Sequence, residues 1–373
     1  MSAPLGIAVL GTAFMGRAHS SAWRNVGAVF PDTPATAMRV LCGSDPGRTE
    51  AAARSLGWQE AATDWREVIA RDDVHVVDIC TPGHLHAEMA TAALEAGKHV
   101  LVEKPLATSL AEAERMAAAA ERAPGASMLG FNYRRVPALA LARQLVQEGR
   151  IGEVRTVRAA YLQDWLVDPA APMTWRLRAE TAGNGALGDL GSHVVDQILA
   201  ITGRQPTGAR GTLRTFQQQR QGPDGPERVT VDDAAWAQLD LDGGAVASME
   251  LSRVATGSKN ALTIEVHGTH GALSFDLERL NELVVTDGRD GWPSRVLVTE
   301  PTHPYLEAWW PPGHVLGWDS TFTMQAADLL RAIAAGHAPA PSFADGLAVQ
   351  RVLDAVERSA AADGARMPLG ETR

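Results

Sequence analysis

The apolar run Gly6-Ile-Ala-Val-Leu10 passes directly into Gly11-Thr-Ala-Phe-Met-Gly16, and residues 17 to about 26 then follow a helical pattern. A strand, a glycine turn and a helix in this order are typical of the unit that holds a pyrophosphate at a helix N-terminus. Gly11 permits the sharp turn, and Gly16 lets the helix pack closely on the strand. Such turns also occur without a nucleotide, but the βαβ unit that opens here favours nucleotide binding.

Strand and helix patterns alternate from this turn to about residue 130, which predicts a Rossmann-type, doubly wound parallel sheet. After Phe131 the pattern changes to long strands, two of which are joined by Gly243-Gly244, a hairpin signal. The second part is therefore predicted to be an α/β domain with a large, mainly antiparallel open sheet. We expect an α/β plus α+β chain with domains at 1–130 and 131–373, whose last helix packs back on the first domain.

Two long segments, 217–231 and 300–319, are rich in glycine, proline and polar residues and are predicted to be loops. A helix predicted from residue 189 to about residue 201 is apolar over most of its surface. We expect it to cover one face of the second sheet, because an antiparallel sheet needs one covered face. The sequence shows no internal repeat.

The composition argues against several classes of function. The chain has 373 residues, 45% of them hydrophobic, and a net charge of -10, so it suits two domains and is not expected to bind nucleic acid. It has no apolar run long enough to span a membrane and no signal peptide pattern, so no membrane partner is expected. Cys42 and Cys80 lie in apolar runs and are predicted to be buried thiols in a reducing cytoplasm. No metal site is expected, since His84 and His86 would point in opposite directions on an extended chain.

A second informative stretch is His99-Val-Leu-Val-Glu-Lys-Pro105, in which an apolar strand runs straight into Glu103, Lys104 and Pro105. Open α/β sheets bind ligands at the carboxyl ends of their strands. This strand therefore carries Lys104 to the nucleotide edge of the sheet. The alternative is an ordinary solvated lysine, which is the commonest state of that residue.

A third stretch, Gly185-Ala-Leu-Gly-Asp-Leu-Gly-Ser-His-Val-Val-Asp196, places Asp189 and His193 four residues apart. On an α-helix, Asp189, His193 and Asp196 would form one narrow polar stripe on an otherwise apolar surface. A carboxylate and an imidazole that line a cavity are suited to proton transfer at neutral pH. The alternative is a hydrogen-bonded Asp–His pair in the core.

Together these stretches resemble the glucose–fructose oxidoreductase/inositol dehydrogenase (Gfo/Idh/MocA) family of sugar dehydrogenases, over nearly the whole chain. A further set resembles the members that act on anhydro-sugars: Phe131-Asn-Tyr-Arg-Arg135, Tyr161-Leu-Gln-Asp-Trp165, Trp175-Arg176, Gly185-Ala-Leu-Gly-Asp189 and Pro341-Ser-Phe-Ala-Asp-Gly346. The resemblance implies oxidation of a secondary hydroxyl, at C3 of an anhydro-glucose or related pyranose, to a keto sugar. It also implies a homo-oligomer, either a dimer or a tetramer.

NAD is the cofactor that the resemblance implies. The residues expected to bind it are Gly11, Ala13, Phe14, Met15, Gly16, Ser44, Asp45, Thr81, Pro82, His86, Glu103 and Lys104. Ala13 replaces the middle glycine of the usual motif, and Gly43 stands where an acidic residue normally binds the adenosine ribose. Asp45 lies two residues further on, while Ser44 and Arg48 could tolerate a 2′-phosphate, so NADP stays open as an alternative.

The same resemblance implies catalytic roles for Lys104, Asp189 and His193. His193 is expected to accept the hydroxyl proton, Lys104 to stabilise the developing negative charge on the oxygen, and Asp189 to orient them or the sugar. Sugar C–H faces stack on aromatic rings, and sugar hydroxyls need amides and charges. The residues expected to contact the sugar are therefore Asn132, Tyr133, Arg134, Gln163, Trp165, Trp175, Arg176, Asp189 and His193. For the aromatic residues, packing in the core or at an interface is the alternative.

Two other functions stay open at this stage. One is a dehydrogenase of another glycoside, an inositol or an aminosugar. The other is a regulator that senses a nucleotide or a sugar on the same fold without catalysis. The presence of all three proposed proton-transfer groups favours an enzyme.

Overall fold

The computed structural model describes residues 3–288 and 291–370. The chain divides into two compact units, each made from two stretches of sequence. Unit 1 comprises Met1–Arg135 and Gly317–Leu347, and unit 2 comprises Val136–Leu316 and Ala348–Arg373. Every helix among the described residues is too short or too polar to cross a lipid bilayer.

Unit 1 contains a six-stranded parallel sheet. Its strands are β1 (Leu5–Leu10), β2 (Thr36–Cys42), β3 (Glu60–Ala62), β4 (Val76–Ile79), β5 (His99–Glu103) and β6 (Ser127–Gly130). The strand order is β3-β2-β1-β4-β5-β6, and every neighbouring pair is parallel. Successive strands are added to one side of β1 as far as β3 and to its other side from β4 onward. Sheets of this kind bind ligands at this switch point, beyond the carboxyl ends of the strands. The predicted doubly wound Rossmann sheet is confirmed.

The α-helices are numbered along the chain. They are α1 (Phe14–Val29), α2 (Pro46–Leu56), α3 (Trp65–Ile69), α4 (His86–Glu95), α5 (Leu110–Arg122), α6 (Pro137–Gln147), α7 (Ala179–Ala182), α8 (Ser192–Thr202), α9 (Ser320–Ala335) and α10 (Phe343–Ala361). Helix α1 begins three residues before the predicted start, because the glycine turn is already helical from Phe14. Helix α9 belongs to unit 1, although it lies far along the chain.

Glycine is required at two positions of the first turn. Gly11 has a φ of 120°, and a Cβ there would lie 2.6 Å from the carbonyl oxygen of Cys80. A Cβ on Gly16 would lie only 1.9 Å from the carbonyl oxygen of Gly11. Helix α1 can therefore pack directly on the end of β1 only because these two side chains are missing.

Unit 2 contains a nine-stranded mixed sheet and a separate two-stranded hairpin. The strands are β7 (Val154–Leu162), β8 (Pro206–Arg214), β9 (Gln219–Gly222), β10 (Gly225–Arg228), β11 (Ala234–Leu241), β12 (Val246–Ser252), β13 (Ala261–Gly268), β14 (Gly271–Asp276), β15 (Glu282–Asp287), β16 (Pro293–Leu297) and β17 (Met367–Pro368). The large sheet has the order β16-β15-β14-β13-β7-β12-β11-β8-β17. Among the described strands of this nine-stranded sheet, only β7 and β12 pair in parallel. The prediction of a large, mainly antiparallel open sheet is therefore confirmed.

Two helices cover the large sheet within unit 2. A Cβ added to Gly191, just before α8, would lie 2.8 Å from Leu251 on β12. A Cβ added to Gly211 on β8 would lie 2.6 Å from Val356 of α10, and the Gly211 N–H donates to Ser359 at 3.0 Å. Small residues thus let both helices approach the sheet closely, and the expected cover by the helix that carries His193 is confirmed.

The segment 217–231 is not a loop as predicted, because it forms the hairpin of β9 and β10. Its sequence is polar and lacks the apolar alternation that usually indicates a strand. The hairpin is held instead by Arg220, which is buried and donates to the carbonyl oxygens of Asp168 and Leu166 at 2.8 and 2.7 Å. The predicted loop at 300–319 contains turns and irregular structure, as expected.

The predicted α-helix from residue 189 is also partly wrong. Residues Leu187–Gly191 form a π-helical turn, and α8 begins only at Ser192. The carboxylate of Asp232 accepts hydrogen bonds from the backbone N–H groups of Gly185 and Leu187 at 2.7 and 2.8 Å. This distant acceptor fixes the start of the turn, so the spacing of an ideal α-helix does not relate Asp189 to His193.

The close approach at Gly16 gives a testable expectation for stability. Gly16→Ala should lower the free energy of unfolding by roughly 2–3 kcal/mol, because the new Cβ forces backbone apart. Gly27→Ala in the same helix is the matched control, since a Cβ there meets no atom within 4 Å and should stabilise α1 by up to about 1 kcal/mol. Urea unfolding of both variants measures the difference, and equal shifts would contradict this account of Gly16.

Candidate active site

The N-terminus of α1 fits a phosphate group. Ala13, the residue that precedes the helix, makes no side-chain hydrogen bond to the first backbone N–H groups, and the first turn has no acidic residue. These N–H groups and the positive end of the helix dipole therefore suit an anion such as the pyrophosphate of NAD. The predicted cofactor residues Gly11, Ala13, Phe14, Met15 and Gly16 all lie in this turn.

A column of aromatic rings in unit 1 braces this turn. The ring of Phe14, which is 66% exposed, stacks on Trp318 with centroids 5.5 Å apart. Trp318 meets Phe322 edge-on at 4.6 Å, and Phe322 lies against His19 at 5.1 Å. Trp318 was not predicted as part of the nucleotide region, because more than 300 residues separate it from Phe14.

The residues after β2 show why the usual acidic residue is absent. A Cβ on Gly43 would lie 2.5 Å from the hydroxyl of Thr49 and 2.7 Å from the methyl group of Thr12. Asp45 caps α2 by accepting a hydrogen bond from the N–H of Arg48 at 2.8 Å. Ser44 is exposed. The adenosine end of the candidate cofactor site therefore offers Ser44 and the capping residue Asp45 as its nearest polar side chains along the chain.

The loops after β4 and β5 are tied together by His86. Its Nδ1 lies 2.9 Å from the carbonyl oxygen of Pro105, and its Nε2 lies 2.9 Å from that of Thr81. Burial lowers the pKa of His86. The segment before it is not extended as predicted, because Gly83–Leu85 forms a 3₁₀ turn, and α4 begins at His86. His86 therefore joins the Thr81-Pro82 loop to the loop that carries Lys104.

A buried charged cluster joins α1 to β4 and β5, and the sequence did not predict it. The Nδ1 of His19 lies 2.8 Å from one carboxylate oxygen of Asp78, and its Nε2 lies 3.0 Å from Glu103. Burial alone would lower the pKa of His19, but the negative charge of Asp78 holds it well above its ordinary value. Trp23 donates to the same carboxylate at 2.7 Å. Although His19, Asp78 and Cys80 lie close enough to ligate one ion, these hydrogen bonds give the cluster a structural explanation without a metal.

In unit 2, a buried arginine lies beside the π-helical turn. Arg253 is 1% exposed and donates to the carbonyl oxygen of Asp232 at 2.8 Å. Burial lowers the pKa of Arg253, while the negative charges of Asp189, Asp232 and Asp233 oppose that shift. Arg253 is therefore a buried cation that balances the acidic residues around the turn, a role that its local sequence does not indicate.

His193 lies in the first turn of α8 and is 6% exposed. The ring of Tyr161 on β7 meets it edge-on, with centroids 6.0 Å apart. Asp196, which was predicted to share a polar stripe with His193, is fully buried and accepts a hydrogen bond from Gln197 at 3.2 Å. Tyr161 therefore connects His193 to other sugar-binding candidates.

A chain of hydrogen bonds connects the polar and aromatic candidates of unit 2. Tyr161 and Gln163 both donate to the side-chain oxygen of Asn260, at 2.7 and 2.8 Å. The indole N–H of Trp165 donates to Gln163 at 2.8 Å, and the ring of Trp165, which is 41% exposed, lies 5.5 Å from the guanidinium of Arg253. Asn260 was missed by the sequence analysis, because nothing in its local sequence distinguishes it.

The remaining candidates fall into two groups. In unit 2, the guanidinium of Arg176 lies over the ring of Trp175 at 4.4 Å. In unit 1, Asn132 donates to Thr321 at 2.9 Å and Arg134 pairs with Asp345 at 3.2 Å. The other residue of that segment, Tyr133, is buried. Sugar contact stays a prediction for these five residues: Asn132, Tyr133, Arg134, Trp175 and Arg176.

Family models match both the first and the second part of the chain. Residues 5–131 match the oxidoreductase family with an NAD-binding Rossmann fold, and residues 139–274 match the GFO/IDH/MocA C-terminal domain. The chain belongs to the Gfo/Idh/MocA family. It is thus an oxidoreductase with an NAD-binding Rossmann domain, as the sequence predicted.

Several known proteins are similar to the chain over nearly its full length. Levoglucosan dehydrogenase of Pseudarthrobacter phenanthrenivorans is 40% identical, with 96% of each chain covered. A solved levoglucosan dehydrogenase in complex with NADH and L-sorbose superimposes with a TM-score of 0.96 and 39% identity, covering 99% of this chain and 100% of that one. An oxidoreductase domain protein from Kribbella flavida has a TM-score of 0.96 and 53% identity, with the same coverage.

The two cysteines take no part in the candidate chemistry of this family member. Cys42 and Cys80 are both buried and free, as predicted. Burial raises the pKa of Cys42 to about 11 and raises that of Cys80 as well. A thiol with a raised pKa is a poor nucleophile at neutral pH, because the thiolate is the reactive form.

The role assigned to Arg253 leads to an expected loss of stability. Arg253→Met should lower the free energy of unfolding by roughly 3–5 kcal/mol, because it leaves buried acidic groups without a cation. Arg158→Met is the matched control, since this side chain is 73% exposed and pairs with Glu265 at 3.4 Å on the surface, where a pair contributes about 0–1 kcal/mol. Chemical unfolding compares the two, and an Arg253 variant as stable as the control would refute the assignment.

Proposed function

We propose that the protein is an NAD-dependent dehydrogenase that oxidises a secondary hydroxyl of a levoglucosan-like anhydro-sugar or related pyranoside, at C3, to a keto sugar. The observation that carries this proposal is the connected set of Tyr161, Asn260, Gln163 and Trp165, with His193 at one end. Aromatic surface for C–H faces and fixed amides for hydroxyls are what a sugar requires. The similarity to levoglucosan dehydrogenase over 96% of the chain supports the same class of substrate.

His193 is the proposed base. The hydroxyl proton of the sugar passes to an imidazole nitrogen of His193, while the electron pair of the O–H bond forms the carbonyl. Imidazole suits this step because its ordinary pKa, about 6.5, lies near the operating pH. The slight exposure of the ring limits access of bulk water to the proton it would hold.

Lys104 is proposed to stabilise the negative charge that develops on the reacting oxygen. It follows β5 directly, so a strand fixes its backbone. A preset ammonium group favours the alkoxide character of the transition state over the neutral alcohol. Bound NAD would supply the acceptor for the hydride that leaves the carbinol carbon.

Asp189 is proposed to hold a sugar hydroxyl or to orient the two catalytic groups. Its position in the π-helical turn is fixed by Asp232, and its negative charge is balanced by Arg253. A carboxylate that stays charged can accept hydrogen bonds from hydroxyls or from an ammonium group. The expected dimer or tetramer and the expected cytoplasmic location stay predictions.

The direct test is a spectrophotometric assay of the purified protein with NAD or NADP. The panel contains levoglucosan, its C3 epimer, simple glucosides, aminosugars and inositols, and formation of reduced nicotinamide is followed. We expect the highest kcat/KM with levoglucosan or a closely related pyranose and NAD. A higher kcat/KM with an inositol or aminosugar would contradict the proposed substrate class. No activity with any compound of the panel, despite confirmed NAD binding, would favour a sensing role.

His193→Ala tests the assignment of the base. We expect kcat to fall by roughly 100-fold or more, while NAD affinity holds, because a general base contributes about 10²–10⁴ to the rate. His267→Ala is the control, since His267 lies on the exposed face of β13. The kcat values of wild type and both variants are compared by steady-state kinetics at saturating NAD. An unchanged kcat for His193→Ala would exclude His193 as the base.

A further inference from the structure

Lys104 is flanked by two residues that are each held by a buried histidine. Glu103, which precedes it, accepts a hydrogen bond from His19 of α1. Pro105, which follows it, has its carbonyl oxygen 2.9 Å from Nδ1 of His86 at the start of α4. Both histidines are almost completely buried, at 2% and 1% exposure. Neither has a role in the proposed chemistry.

The contacts of His19 require a positively charged ring. Nδ1 faces both oxygens of Asp78 at 2.9 and 2.8 Å, and Nε2 faces Glu103 at 3.0 Å. An ionised carboxylate only accepts hydrogen bonds, so both ring nitrogens must carry a proton. His19 is therefore a doubly donating imidazolium, and it holds the Glu103 side chain by a charge-assisted hydrogen bond.

The packing around Glu103 leaves its carboxylate little freedom. Glu103 is 5% exposed, and its backbone pairs with Gly130 on β6. A Cβ on Gly130 would lie 2.7 Å from the Glu103 carboxylate, so this oxygen occupies the space that a side chain would fill. Because Glu103 is the last residue of β5, a fixed side chain here fixes the point where Lys104 leaves the sheet.

His86 acts on the other side of Lys104. Its ring lies between the carbonyl oxygens of Thr81 and Pro105, at 2.9 Å from each. Thr81 follows β4 and Pro105 follows β5, so the ring connects the ends of two neighbouring strands. A neutral imidazole donates to one carbonyl only. The tautomer protonated at Nδ1 donates to Pro105, and this contact ties the loop of Lys104 to the start of α4.

We propose that His19 and His86 are positioning residues that together set the backbone of Lys104 from both sides. The proposal rests on the proposed role of Lys104 in the reaction. A lysine side chain is long and flexible, so its ammonium group can be placed accurately only if its backbone is fixed. A displacement of about 1 Å can cost roughly 100-fold in rate.

A double-mutant cycle distinguishes this role from a merely structural one. His19→Gln and His86→Gln are each made alone and combined with Lys104→Met, and kcat is measured with NAD and the best sugar of the panel. Each histidine variant alone should lower kcat by roughly 10- to 100-fold. In the Lys104→Met background each should cause a further loss of less than about 2-fold, because a positioning residue has nothing left to position.

The control is His84→Gln, because His84 lies in the same 3₁₀ turn beside α4 but contacts neither Glu103 nor Pro105 by any hydrogen bond that the described residues show. It should leave kcat unchanged. Affinity for NAD is measured for every variant by fluorescence titration. Losses that multiply in the Lys104→Met background, or that appear as weaker NAD binding with kcat intact, would overturn the proposal.

Nuclear magnetic resonance of the wild-type protein tests the His19 contact without any variant. With ¹⁵N-labelled histidine, we expect one ring among the 11 histidines to keep both nitrogens protonated at pH 8.5. The absence of such a ring would overturn the imidazolium assignment. If His19→Gln does not fold, this measurement and the His86 arm of the cycle decide the proposal.

The outcomes also separate this inference from the proposed function. Full activity of Lys104→Met alone would remove Lys104 from the mechanism and the positioning role with it. A strong loss in Lys104→Met, combined with histidine effects that multiply, would leave the proposed function intact and overturn only the positioning role.

Discussion

The contact between Gly16 and the carbonyl oxygen of Gly11 determines how the nucleotide-binding unit is built. Because no Cβ intervenes, the first turn of α1 packs directly on the end of β1. His19 lies three residues after Gly16 and therefore on the same face of the helix. The close approach thus brings the His19 ring within hydrogen-bond distance of Asp78 on β4 and Glu103 on β5. The absence of a side chain at Gly16 thus allows His19 to contact the acidic residues of two strands.

Each unit buries a charged cluster beneath the segment that carries its candidate catalytic residues. In unit 1 the cation is His19 and its partners are Asp78 and Glu103; in unit 2 the cation is Arg253, balanced by acidic residues that include Asp189. Such clusters add little net stability, because desolvation offsets the attraction. Removing one partner is costly, however, so they hold the chain in one arrangement. In both units that arrangement orients a short segment, the Glu103-Lys104-Pro105 stretch in one and the π-helical turn in the other.

The features that could be predicted from the sequence are those encoded locally. The strand, glycine turn and helix at Gly6–Gly16, the alternation of the parallel sheet and the Gly243-Gly244 hairpin are all encoded within a few residues. The features that were missed depend on distant partners. The turn at Leu187–Gly191 needs Asp232, the hairpin of β9 and β10 needs the buried contacts of Arg220, and His19 finds its partners 59 and 84 residues away. Candidate site residues could therefore be proposed from residue type, while the contacts that support them could not be predicted.

The two units offer different kinds of candidate binding surface. The phosphate end of the cofactor site is made from backbone N–H groups and glycines, so its geometry cannot be altered without altering the fold. The candidate sugar surface is made from side chains that meet at Asn260, near the end of β7 and just before β13. On the proposed function, substitutions at Gln163 or Trp165 would change the contacts offered to sugar hydroxyls while the sheet stays paired. The proposed sugar contacts can therefore change while the backbone that forms the phosphate end stays the same.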